Sequence, residues 1–351
     1  MTSDQYGGKM TIEGRYIYGF VRKSEHENIG AVGIDQGEVY TFPYQDIAAV
    51  VSDSSFLQFD ALPKETLLRN LAVYQAVIEN VMKSHYIIPV KFGTTVQRQE
   101  ELKIILKKGY GQINTNLKET ENKIELDVAA LWSDLEAVLK EIGAEEEIKK
   151  LKEEAASKAA DELFEIKISL GKMVKETLDK KRDKCASEIL DILKKEAETY
   201  RAHEVMDDSM IMNSAFLIRK DNQKTFELKV DQLDKRFKNA INFRIIGPLP
   251  PYSFNTLEIK TVEFSEINEA RKMLGLGEEA RIFEIREAYK ELSKKFHPDK
   301  YPGDPQVHKR FEKINKAHHM LSDYCREDRC SFKEADVRGW IDVRELVVSG
   351  Q

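Results

Sequence analysis

The sequence predicts an α+β protein: two small α+β halves joined by long charged helices, followed by an all-helical C-terminal unit. Three observations predict it. β-branched and aromatic runs alternate with helix-period segments from Arg15 to Val128 and again from Met210 to Ile246. A proline-free stretch dense in Lys and Glu, Trp132 to Glu204, lies between them. Gly247-Pro248-Leu249-Pro250-Pro251-Tyr252-Ser253-Phe254 then holds three of the chain's nine prolines. Proline lacks an N–H and fixes φ, so neither a helix nor a central strand is expected through it.

Composition sets the outer bounds. The 351 residues suggest two or three domains, and 41% hydrophobic residues suffice for real cores. The 33% charged residues point to long solvated helices. A net charge of −6 argues against a general nucleic-acid binder. Cys185, Cys325 and Cys330 make no disulfide framework, so a reducing cytoplasm is expected. Met1 to Gln5 lacks the basic start and apolar core of a signal peptide, and Gly7-Gly8 sits in a loose polar leader. No apolar run approaches the roughly 18 residues of a membrane span.

In chain order, Arg15 to Val21 reads as the first strand. Ala31–Ile34 and Glu38–Phe42 read as a hairpin turning through Asp35-Gln36-Gly37. Ile47–Val51 suits a buried strand. Pro63 and Lys64 open a helix whose Leu67, Leu71, Tyr74, Val77, Ile78 and Val81 share one face. Ile87–Gly93 is a strand, a second helix runs from Gln97 to Lys108 and stops at Gly109, and Lys123–Val128 alternates as a strand. This first half, residues 1–131, is a compact α+β domain with ferredoxin-like topology one candidate.

Residues 132–205 form the charged helical region, broken near Gly143 and Gly171. Ile148, Leu151, Ala155, Ala159, Leu163, Ile166 and Leu170 keep near-heptad spacing, and Ile189, Ile192 and Leu193 continue the stripe. A helical hairpin packed on the body fits; the alternative is a dimerising coiled coil, whose alanine-rich seam would be weak. Residues 206–262 form the second half: a strand at Met210–Ile218, a helix from Thr225 to Lys238 with Phe226, Val230, Leu233 and Phe237 on one face, and a strand from Ala240 into Gly247.

These elements carry a resemblance. Tyr16-Ile17-Tyr18-Gly19, Pro89-Val90-Lys91-Phe92-Gly93-Thr94 and the proline-rich octapeptide resemble the GvpL/GvpF family of gas vesicle proteins over about residues 12 to 260. The family usually has Trp where Leu249 stands. The octapeptide residues Gly247, Pro248, Pro250, Pro251, Tyr252, Ser253 and Phe254 match the family motif. The resemblance implies an accessory protein of gas vesicle assembly that contacts the small hydrophobic shell protein, GvpA, and other gas vesicle proteins.

A second resemblance lies in residues 263–328. Ile285, Tyr289, Leu292 and Phe296 keep helical spacing and end in His297-Pro298-Asp299-Lys300. After the loop Tyr301-Pro302-Gly303-Asp304-Pro305, the residues Val307, Phe311, Ile314, Ala317 and Leu321 face one side of a second helix. With Ala270–Leu276 as a short first helix, residues 266–325 resemble a DnaJ-type J domain. Pro298 disfavours α for His297, so the helix must end there and hold the imidazole and the Asp299 carboxylate at the loop's edge. Arg286, Lys290 and Lys294, at i, i+4 and i+8 with Lys295 beside them, form a basic stripe. The resemblance implies that the stripe meets an acidic surface of a DnaK-type chaperone and that His297, Pro298 and Asp299 trigger its ATP hydrolysis. The third helix continues as Lys316-Ala317-His318-His319, a departure from the family's basic end that bears on activity.

The remaining signals are slight. His318, His319, Cys325 and Cys330 match no established zinc spacing, so no metal is expected. No P-loop, dinucleotide fingerprint or nucleophile elbow occurs, so neither a cofactor nor an enzyme activity is expected. Cys185 reads as structural. Residues 329–351 form a tail in which Trp340–Val348 packs back on the helical unit, leaving the body separable after about Val262. The expected protein is a non-enzymatic, cytoplasmic, gas vesicle-associated accessory factor that binds the shell protein and recruits a DnaK-type chaperone, with no nucleic-acid or membrane partner. The alternative is a general co-chaperone whose α+β body binds unrelated clients.

Overall fold

β1 (Glu13–Arg22) is buried on both faces, and the N-terminal half is layered around it. The structure is a computed structural model and describes residues 13–55, 62–156, 160–301, 304–325, 328–337 and 341–346. The Gly7-Gly8 leader lies outside them. β1 pairs antiparallel with β4 (Ile47–Ser55), and with the short β5 (Ile87–Pro89) and β6 (Thr95–Val96). β2 (Asn28–Val32) and β3 (Glu38–Tyr44) extend the sheet to the order β2-β3-β4-β1-β5. Their hairpin turns at Ile34–Gln36, as the sequence predicts, with Asp35 and Gln36 both at positive φ.

Tyr16 and Tyr18 face α1 (Lys64–Val81), packing with Tyr74, Val77, Ile78 and Val81. Ile17 and Phe20 face the other side with Leu102, Ile105 and Ile113 of α2 (Gln99–Glu119). A bulge between Ile17 and Gly19 shifts the alternation by one residue and puts Phe20 on that second side. α2 does not stop at Gly109 as expected; it continues ten residues further to Glu119. Glycine at this position answers a packing demand, since a Cβ there would stand 2.7 Å from Cγ2 of Val343.

β7 (Lys123–Trp132), expected in the first half, joins a second sheet instead. It pairs with β9 (Met210–Arg219) and β10 (Ile241–Leu249), and β8 (Thr199–Ala202) completes the order β10-β7-β9-β8. Helices α3 (Leu135–Gly143), α4 (Glu146–Ala156) and α5 (Ala160–Leu193) connect β7 to β8, and α6 (Gln223–Arg236) connects β9 to β10. This is the split β-α-β-β-α-β arrangement, so the ferredoxin-like topology belongs to the second half. α5 runs unbroken through Gly171, and Thr199–Ala202 is strand where helix was expected. Ile142, Ile148, Leu178, Ile189 and Leu193 bury in one core with Phe216 and Phe226, so these parts of the helices pack on the second sheet. The side chains of Ala155, Ala159 and Leu163 lie outside the described residues.

β10 also runs past its expected end. Beyond an irregularity at Ile246, Leu249 pairs with Glu125. Gly247 has φ +142, and a Cβ on it would meet the Glu125 carbonyl oxygen at 2.9 Å, so the crossing needs glycine. Pro248 follows through a cis peptide. Past Pro250 and Pro251, Tyr252 enters the aromatic cluster of the first sheet, its ring 6.4 Å from that of Tyr74. Ser253 turns the other way. Its N–H and its hydroxyl each donate to the buried Glu125 carboxylate at 2.8 Å.

The C-terminal helical unit comprises α7 (Phe264–Met273), α8 (Ile282–Lys295) and α9 (Pro305–Tyr324), with a small ladder of β12 (Glu279–Arg281) and β13 (Arg329–Ser331) and the short α10 (Glu334–Val337). Cys325 and Cys330 are joined in a disulfide, contrary to the expectation of unpaired thiols, because β13 turns back and brings their Cα atoms to 5.5 Å. The unit enters from β11 (Leu257–Thr261) and leaves through β14 (Ile341–Glu345), and these two strands pair with each other. The tail therefore does not pack back on the helical unit. Ile341 and Leu257 bury with Ile105 and Leu106 of α2, because Ile341 and Val343 alternate onto one apolar face. Asn116 of α2 donates to both Asn255 (2.5 Å) and Glu345 (2.8 Å). Trp340 and residues 347–351 lie outside the described residues.

Two predictions follow from this packing. Truncating Ile341 to alanine should cost about 2–4 kcal/mol, because it opens a cavity in the core of the N-terminal half. Chemical denaturation would measure the loss; a change below about 0.5 kcal/mol would mean that β14 is not part of that core. The second concerns Glu125. Burial pushes its carboxyl up to about 8 against the pull of the Ser253 hydrogen bonds, and burial also raises neighbouring Asp127, which His203 pulls down. The folded chain thus keeps a proton that the unfolded chain releases near 4.5. Stability from the neutral form is present below that value and is lost as pH rises through about 8. Tm should fall across this window in the wild type and less steeply in Glu125→Gln; equal slopes in thermal melts would sink the assignment.

Candidate functional site

α8 begins where the Arg281 backbone N–H donates to the Glu284 carboxylate at 2.7 Å. Ile285 is buried against Ile314, Ala317 and Leu321 of α9, with Tyr289, Leu292 and Phe296 half-buried along the same seam. Tyr289 donates its hydroxyl proton to Asn315 Oδ1 at 2.9 Å, which fixes the two helices in register. The opposite face of α8 carries Arg286, Lys290, Lys294 and Lys295, all exposed. Among the described residues, Lys290 alone of these four has a carboxylate within ion-pair distance, Glu287 at 3.7 Å, and with both side chains open to water this pair contributes little.

α8 ends at Phe296, and His297 is extended at φ −65, ψ 132, as the following proline requires. Pro298, Asp299 and Lys300 form a 3-10 turn. The Asp299 backbone N–H donates to His297 Nδ1 at 3.3 Å. Nδ1 thus faces the loop's own backbone, and Nε2 is the ring nitrogen left for a partner. The ring also meets Phe311 of α9 edge-on, with centroids 5.5 Å apart. Arg310 lies 4.2 Å over the Phe296 ring. Phe311 was legible in the sequence as an apolar position; its role in holding His297 was not, because that contact crosses the loop. The Asp299 carboxylate is 88% exposed and stands 3.4 Å from His297 Nδ1. The loop thus presents one oriented imidazole and one solvated carboxylate beside a cationic helix face.

His318 does not join this surface. Its ring stacks on Tyr289 at 4.0 Å, and burial holds its pKa below the usual histidine range. Cys325 and Cys330 are bonded to each other. Among the described residues no group of three or more His, Cys, Asp or Glu side chains could hold a metal ion. Also among the described residues, no helix is long and apolar enough to cross a membrane. Cys185 lies half-buried on α5, with its thiol pushed up by burial.

The octapeptide is a junction and not a surface loop. Pro250, Pro251 and Ser253 are buried, Tyr252 and Phe254 are half-buried beside them, and Gly247 and Pro248 are exposed near the end of β10. Arg201 of β8 lies 5.9 Å over the Phe254 ring.

Comparison with known proteins matches both parts. The J-domain model, "DnaJ domain", matches residues 269–329. In that region the chain is 47% identical over 53 residues to "DnaJ-related protein spj1" of Schizosaccharomyces pombe, covering 15% of this chain and 14% of that one. Across the body it is 24% identical over 246 residues to "Gas vesicle protein F" of Nostoc sp., covering 69% of this chain and 97% of the relative. It is 27% identical over 242 residues to "Gas vesicle protein F" of Streptomyces sp., covering 68% and 98%. The crystal structure of GvpF from Anabaena sp. superposes with a TM-score of 0.59 at 23% identity, over 69% of this chain and 98% of that one, which shows a shared fold. The family model "Gas vesicle synthesis protein GvpL/GvpF" matches residues 14–256, and the chain belongs to that family, with a J domain appended to its body.

Proposed function

We propose that this protein is a non-enzymatic accessory factor of gas vesicle assembly. Its body takes the small hydrophobic shell protein, GvpA, as client, and its J domain recruits a DnaK-type chaperone to that client. The observation that carries the reading is the union of the two parts in one chain, with the J domain held at both ends by the β11–β14 ladder. Tethering raises the local concentration of chaperone around whatever the body holds. The two-ended attachment adds orientation, since Asp323 at the end of α9 pairs with Lys260 (3.4 Å) and Arg344 (3.7 Å) on the two strands.

In this reading His297, Pro298 and Asp299 act on the chaperone ATPase, and Arg286, Lys290, Lys294 and Lys295 dock it. An apolar shell subunit needs protection from self-association before it is placed, which suits chaperone recruitment at the site of use. The body's resemblance to gas vesicle proteins supports the client, and the J-domain match supports a chaperone partner.

Two outcomes test the chaperone half. His297→Gln or Asp299→Asn should abolish stimulation of a DnaK-type ATPase in single-turnover assays and leave Tm within about 1 °C, because neither side chain is buried. Normal stimulation by both variants would remove the loop from the mechanism. Lys290→Glu with Lys294→Glu should weaken chaperone binding by about tenfold or more, and wild-type affinity should fall between low and physiological salt, as screened surface charges do. Binding indifferent to both changes would exclude the basic stripe.

A further inference from the structure

Among the described residues the second sheet has an unpaired edge. β10 is the terminal strand in the order β10-β7-β9-β8, and among the described residues no strand lies beyond it. Its ladder direction can be read from one bond. The Ala240 carbonyl accepts from the Ser133 N–H at 3.0 Å, one step before the Ile241–Trp132 pair. Along an antiparallel ladder such bonded pairs alternate. Asn242, Arg244 and Ile246 therefore turn their N–H and C=O groups toward β7, and Ile241, Phe243 and Ile245 turn theirs outward. The edge ends at Gly247 and Pro248, where the positive φ and the missing N–H stop further pairing.

The side chains flanking this row are unlike on the two faces. Phe243 and Ile245 lie toward α6, where Phe237 packs with its ring 6.3 Å from that of Phe243. On the other face Arg244 is exposed, and among the described residues no carboxylate is paired with it. Ile246 beside it is 58% exposed. Natural edge strands of this length are usually blocked or covered. Here the described part of the edge carries one positive charge, Arg244, and closes with the irregularity and proline after Ile246.

We propose that the β10 edge is where the body binds its client, by adding an extended segment of the shell protein as a further antiparallel strand. The segment would carry alternate apolar side chains over Phe243 and Ile245 and a carboxylate opposite Arg244. This rests on the reading of the shell protein as client.

The edge can be tested without disturbing the sheet. Ile245→Pro removes an outward N–H and leaves the β7 ladder whole, because the Ile245 N–H is not used there. Arg244→Glu reverses the exposed charge and alters no buried group. Tagged full-length protein, co-expressed with the shell protein, is recovered and the shell protein retained on it is quantified, with thermal melts confirming that each variant is folded. Wild type should retain the shell protein, and each variant should retain about tenfold less. If wild type binds and a folded Arg244→Glu and Ile245→Pro bind equally well, the edge is not the site, while the client assignment stands. If wild type itself retains none, the client assignment fails and the proposed occupant with it. A wild-type dimer that Ile245→Pro makes monomeric would overturn the proposal in favour of a second copy of this chain.

Discussion

The buried Glu125 carboxylate and the Ser253 amide and hydroxyl that hold it fix the relation between the two halves of the body. Glu125 sits on β7, an interior strand of the second sheet, and Ser253 sits in the octapeptide. One residue earlier, Tyr252 enters the cluster of Tyr16, Tyr18, Tyr74 and Phe92 on the first sheet. Two successive side chains therefore anchor in different cores. The prolines make this possible by fixing φ and removing N–H donors that the buried segment would have to satisfy, and the chain turns at Pro251, whose carbonyl accepts from the Phe254 and Asn255 N–H groups. An unpaired carboxyl at this depth would be costly, so the hydrogen bonds and the raised pKa are two parts of one solution.

The same segment leads directly into β11, and that continuity explains why the J domain is not a loose appendix. β11 needs a partner strand, and within this chain β14 supplies it from beyond the J domain. Glu258 on β11 binds Lys91 at 2.9 Å and Arg344 at 3.0 Å, so the ladder is tied to the first half and to the tail at once. Relatives that match the body end near the point where β11 begins, since the family match stops at residue 256. The two-stranded ladder is therefore what joins the helical module to the body, and Gly109 is the position on α2 that makes room for it.

Much of this was legible in the sequence. The first strand, the hairpin, α1, α6 and the helices flanking His297 follow from periodicity and turn residues, because each has one clear apolar face or a local steric rule. What was not legible depends on contacts between distant residues. Lys123–Trp132 alternates in a way that serves either sheet, and only tertiary pairing assigns it to the second. Gly109 reads as a helix stop until the strand that needs its bare face is known. The tail's Ile341 and Val343 show a strand's alternation but not which surface they cover. Cys325 and Cys330 are close in sequence, and the turn of β13 that brings them together is not encoded in their spacing. The stripe residues and the loop residues of the J domain could be named in advance; the contacts of Phe311 and Arg310 that hold the loop could not.

The unusual end of the third helix can be weighed on the same grounds. His318 and His319 stand where a basic, alanine-rich end is customary in J domains. If His318 faced outward, it would alter the surface offered to a chaperone. It instead packs in the seam between α8 and α9, stacked on Tyr289 and 3.4 Å from the Ser322 hydroxyl, and burial disfavours its charged form. In its neutral form, which burial and the nearby Arg286 both favour, the ring does the packing work of an apolar residue. The departure is thus absorbed inside the helix pair, and Arg286, Lys290 and Lys294 remain exposed on the far side of α8. On this geometry, the atypical end changes how the two helices hold together and leaves the cationic face and the His297 loop at the surface.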